Sequence, residues 1–140
     1  MRRPLSLLAA MALAGFLGAF PALAGEKSMG EVFILEPKDG ATVKNPVKVV
    51  FGTENLAIVP AGTEHAQGGH HHLLIDTGLP PLGEPIPKDE HYRHFGGGQT
   101  ETEIRLEAGK HSLQLLLGDH NHIPHDPPIV SKVITITVEE

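Results

Sequence analysis

Short runs in which every second residue is apolar, separated by glycine, proline and aspartate, constrain this chain more than any other feature. Val47, Val49 and Phe51 alternate with Lys48 and Val50. Ile104 and Leu106 alternate with Glu103 and Arg105, and Leu113, Leu115 and Leu117 with Ser112, Gln114 and Leu116. Ile134, Ile136 and Val138 alternate with Val133, Thr135 and Thr137. A strand turns successive side chains to opposite faces, so a period of two marks a strand buried on one side. Residues 32–37, closed by the turn Pro37-Lys38-Asp39-Gly40, and residues 71–76 read as strands too. Beyond the N-terminal segment no window carries a helical period. We therefore expect an all-β fold, an antiparallel immunoglobulin-like (Greek-key) β-sandwich of about seven strands. Another Greek-key barrel is the alternative. The strands are placed near 31–37, 47–52, 70–76, 91–95, 100–106, 111–117 and 131–138.

The chain opens differently. Arg2 and Arg3 precede an apolar run from Leu5 to Phe20, and Ala22-Leu23-Ala24 supplies small residues at its end. This pattern predicts a signal peptide over 1–24, cleaved after Ala24. The run is too short and wrongly flanked for a membrane span, and no later stretch approaches the ~20 apolar residues that a span needs. The arginine pair lacks the rest of a twin-arginine pattern, so Sec-type export to a periplasmic or secreted location is expected. Residues 25–30 then form a tail and 31–140 the sandwich domain.

With no Cys, the chain has no disulfide scaffold, iron–sulfur cluster, thiol catalysis or lipidated cysteine. Packing alone must hold it. The formal charge of −6 becomes more negative once Arg2 and Arg3 are removed, which excludes nucleic acid as a partner.

Ten histidines are the anomaly. If the chain runs up and down through a sandwich, the connections 53–69, 96–99 and 118–130 share one end. His65, His70, His71, His72, His94, His120, His122 and His125 then gather there, with His91 up to a strand's length away and His111 at the opposite end. With Leu73 and Ile75 in the core, His71 points inward, while His70 and His72 point outward ~7 Å apart. The next strand but two returns beside this one and brings Asp119, His120, Asn121 and His122 close. A His-x-His pair completed by a loop suits Cu(II) or Zn(II). The candidate ligands are His70, His72, His94, His120 and His122. Asp119 and Asp126 either orient imidazoles or build turns. Pro124, Pro127 and Pro128 stiffen the loop. The glycine-rich 95–100 lacks a P-loop's Lys-Ser/Thr and reads as a tight turn with positive φ.

The function expected is an exported protein that buffers or delivers a divalent transition metal, with the ion and a periplasmic protein as partners. Two alternatives stand beside it. One is a non-catalytic interaction module whose histidines form a structural polar network; the other is a metal-dependent redox enzyme. Clustered imidazoles titrating near pH 6 would also make a pH switch.

The strings Gly69-His70-His71-His72-Leu73-Leu74-Ile75-Asp76, His94-Phe95-Gly96-Gly97-Gly98-Gln99-Thr100-Glu101 and Leu113-Gln114-Leu115-Leu116-Leu117-Gly118-Asp119-His120 resemble an uncharacterised bacterial family, a domain of unknown function in small exported proteins. The resemblance spans nearly all of 31–138. It implies an exported single-domain protein and no particular activity. A looser likeness is to the copper–zinc superoxide dismutase fold, a Greek-key sandwich with His-x-His on a strand. This chain lacks that family's disulfide cysteines and an evident bridging-histidine zinc loop. Its expected architecture also resembles that of periplasmic copper-resistance proteins.

Overall fold

The computed structural model describes residues 29–140. The expected signal peptide and the first part of the tail lie outside the described residues. Nine strands follow in chain order: β1 (Glu31–Glu36), β2 (Thr42–Lys44), β3 (Val47–Glu54), β4 (Ala57–Ile58), β5 (Gly68–Ile75), β6 (Tyr92–His94), β7 (Glu101–Ile104), β8 (Gly109–Gly118) and β9 (Ile134–Glu139). Among the described residues no helix is long and apolar enough to cross a membrane.

The strands form two sheets, one of three strands in the order β1-β3-β7 and one in the order β2-β9-β8-β5-β4, with β6 also on β5. The all-β sandwich expected from the alternation is present. Its pairing is mixed rather than purely antiparallel, because β2 runs parallel to β9 and β4 parallel to β5. These two strands, of three and two residues, are too short to show a period and sit at sheet edges.

Alternation places the core. Val47, Val49 and Phe51 of β3 face Leu73 and Ile75 of β5, Leu113, Leu115 and Leu117 of β8, and Ile134, Ile136 and Val138 of β9, all buried in one cluster. Each such side chain contributes about 1.5–3 kcal/mol on leaving water. The larger sheet also buries its other face. There Leu74 and Leu116 pack with Ile86 from the proline-rich β5–β6 connection, flanked by Tyr92 and Val130. All eight residues of β5 are buried.

Three loops are tied together at one end of the sandwich. Ala61 N–H donates to Gly96 O at 2.8 Å, and Gly62 N–H to His120 O at 3.2 Å. The β4–β5, β6–β7 and β8–β9 connections thus converge as the topological argument requires.

Candidate metal centre

The site is built on β5. His70 lies opposite Gly118 of β8, His71 opposite Leu117 and His72 opposite Leu116; on the other edge His72 lies opposite His94 of β6. Paired residues share a face, so His70, His72 and His94 rise from the same side of the sheet, with His71 on the reverse. The His71 ring sits 4.9 Å from the Phe51 ring in the core.

His122 is delivered by a tight turn. The Asp119 carboxylate accepts the N–H groups of Asn121 at 2.8 Å and Ile123 at 3.0 Å, while Asp119 O accepts His122 N–H at 3.0 Å. Asp119 therefore serves turn formation. His122 itself adopts φ of 64°, an uncommon left-handed conformation for a residue other than glycine. Its carbonyl accepts Ile86 N–H at 2.7 Å, which links the turn to the proline-rich cover. Gly118 makes room: a Cβ there would lie 2.7 Å from His72 Cε1 and 3.4 Å from His122 Cα.

Four imidazoles meet as a result. His70 Nε2 and His94 Nε2 are 3.2 Å apart. Ring centres are separated by 4.9 Å for His70–His122, 4.6 Å for His94–His122, 4.8 Å for His70–His72 and 5.1 Å for His72–His94. One nitrogen from each of His70, His94 and His122 falls within a group spanning no more than 4.8 Å, a spacing that could hold a metal ion.

The electrostatics favour neutral rings with free lone pairs. Burial, reinforced by repulsion from His122 and His94, pushes His70 down to about 4. Burial and the neighbouring imidazoles push His72 down to about 3, and burial lowers His94 as well. Protonation therefore does not compete with ligation at neutral pH. His70 Nδ1 and both nitrogens of His72 are buried without a hydrogen-bond partner. Each such orphan costs about 1–3 kcal/mol, and a bound cation would satisfy one nitrogen of His72.

The other histidines go elsewhere. Asn121 donates its side-chain N–H to His120 Nε2 at 3.0 Å, outside the triad, although His120 stands in the same turn. His125 Nε2 donates to Gly68 O, and His65 Nδ1 accepts Gln67 N–H at the exposed rim. His91 bonds Ile75 O, and His111 bonds Asp76 at the far end of β5. Both nitrogens of His111 point at acceptors, Asp76 Oδ2 and Glu107 O, and the carboxylate raises its pKa. The glycine-rich turn has its positive φ at Gly98. Alternation places His70 and His72 on the outer face, and the structure buries both there, with the rings of His94 and His122 beside them.

A family model described as a domain of unknown function (DUF4399) matches residues 49–139. Neither a curated protein nor a solved structure matches the chain.

Proposed function

The chain belongs to the DUF4399 family, whose function is unknown, and we propose from the geometry of the site that it binds a divalent transition-metal ion through His70, His94 and His122. The ion is Cu(II) or Zn(II), and the role is to buffer or deliver it outside the cytoplasm after Sec-type export. The observation that carries this is the convergence of three imidazoles, from β5, β6 and the β8–β9 turn, on one volume a few ångströms across. All-nitrogen donor sets suit both ions.

A purely structural histidine network fits less well. Only the His70–His94 contact joins two of the four rings by a hydrogen bond, and His72 satisfies neither nitrogen. An interaction module would gain nothing from such orphans.

The test is elemental analysis of the untagged protein, followed by separate titration with Cu(II) and Zn(II). One ion per chain is expected, lost in the double variant His94→Ala/His122→Ala. These two rings are only partly buried, so the variant should fold, and a matching circular dichroism spectrum checks that. Failure of the wild-type chain to retain either ion, or stoichiometry unchanged in the folded variant, would refute the proposal.

A further inference from the structure

Resting on the metal-binding reading above, we infer that His72 is a fourth ligand and that the pocket is a closed, tetrahedral four-imidazole site selective for Zn(II). The argument is metric. With metal–nitrogen bonds of ~2.0–2.1 Å, and the ligating nitrogen about 1.1 Å from the ring centre, each ring centre lies about 3.2 Å from the ion. Four such rings at the corners of a tetrahedron are about 5 Å apart on every edge; in a square plane four edges shrink to about 4.5 Å and both diagonals stretch to about 6.4 Å.

The six separations among His70, His72, His94 and His122 discriminate between these shapes. Five of them lie between 4.6 and 5.1 Å, and the sixth, His72–His122, is 6.1 Å. A square plane with His72 and His122 on one diagonal needs His70 and His94 on the other. Their rings are 5.0 Å apart and their Nε2 atoms 3.2 Å. Two ligands at ~2.0–2.1 Å from an ion with that spacing subtend about 100–106°, nearer the tetrahedral angle than the right angle. His72 stands outside the group of nitrogens within 4.8 Å of one another, and its 6.1 Å edge to His122 must shorten by about 1 Å for a regular tetrahedron.

Chemistry narrows the ion. Zn(II), with a filled d shell, accepts a tetrahedron without loss, whereas Cu(II) and Ni(II) favour tetragonal fields. Cu(I) favours thiolate and thioether donors, which these four rings lack. Intrinsic affinity runs toward Cu(II), so selectivity must come from geometry. His72, wholly buried with two unpartnered nitrogens, supplies it by closing the position that a water would occupy at a catalytic centre. The site therefore sequesters its ion and does not activate water.

Co(II) serves as the spectroscopic probe of the wild-type chain, because tetrahedral Co(II) absorbs intensely in the visible and octahedral Co(II) weakly. An intense spectrum displaced by stoichiometric Zn(II) is expected. His72→Leu, which keeps the buried volume and removes the donor, should weaken Zn(II) binding at least about 100-fold, beyond the loss of an outer-shell partner. It should also shift the visible bands, because a water then takes the fourth position, while leaving a folded protein. A weak octahedral spectrum on the wild-type chain, or Zn(II) affinity unchanged in His72→Leu, overturns the four-ligand inference and leaves the three-histidine reading intact. A wild-type chain that binds neither Co(II) nor Zn(II), nor Cu(II), overturns both.

Discussion

Replacing His71 by leucine isolates the energetic consequence of burying an imidazole in this fold. His71 is fully buried on the inner face, against Phe51, with neither nitrogen bonded. Burial first, and repulsion from His70 second, push it down to about 4 from its ordinary 6.5. Above pH 6.5 the ring is neutral in both folded and unfolded chains and adds no pH dependence. Between 6.5 and about 4 the unfolded chain binds a proton that the folded chain refuses, so stability falls as pH falls. Below that both are protonated and the loss levels off. The shift corresponds to about 3 kcal/mol, accrued at about 1.4 kcal/mol per pH unit. His70 and His72, pushed down to about 4 and 3, act with the same sign. Against a total stability of about 5–15 kcal/mol, the metal-free protein should unfold in mild acid. His71→Leu should be about 1–3 kcal/mol more stable than wild type at pH 7.5, because it removes unsatisfied polar atoms. Its advantage should widen by about 1 kcal/mol on going from pH 6.5 to 5.5, because the unfolded ring is only half protonated at the start of that interval. Urea unfolding followed by far-ultraviolet circular dichroism, with chelator present, measures both. A gap that stays constant with pH, or a variant less stable than wild type at neutral pH, would refute the reasoning.

Gly118→Ala should destabilise the chain by about 1–3 kcal/mol and weaken metal binding, since its methyl group meets His72 at 2.7 Å; denaturation and competitive chelation read the two effects. Asp119→Ala removes the acceptor for two backbone N–H groups and should cost about 1–3 kcal/mol while loosening His122, whereas Asp119→Asn keeps an oxygen there and should lose much less of both stability and ion affinity. For His111 the sign reverses: its pKa is raised, chiefly by the Asp76 hydrogen bond, so its stabilising share is present below 6.5 and lost as pH rises through the raised value. Nuclear magnetic resonance titration should find His111 above 6.5 in the wild-type chain and lower in Asp76→Asn. Free Zn(II) at a thousand times its dissociation constant should stabilise the protein by about 4 kcal/mol, and not the His94→Ala/His122→Ala variant, as thermal melts will show.

Much of the site is legible in one dimension because a strand has only two faces. The alternation that buries Leu73 and Ile75 forces His71 inward and His70 and His72 together on the reverse, and chain reversal at each turn brings the histidine-bearing loops to one end. His120 and His122 are not separable in this way. They share an irregular turn with no fixed period, and the choice between them rests on the Asp119 hydrogen bonds and the left-handed backbone at His122. The edge strands β2 and β4 are not legible in the sequence because two or three residues cannot display a repeat.

The sequence by itself determined the two-sheet architecture, the parity of the β5 histidines and the end of the sandwich at which they gather, since local period and turn placement settle these before any long-range contact forms. Only the tertiary structure decided that the outer face of β5 is buried. That depended on the 77–90 segment folding back so that Ile86 packs on Leu74 and Leu116 and holds the His122 carbonyl. Desolvation is a property of what covers a residue, and the cover comes from chain that carries no repeating pattern of its own.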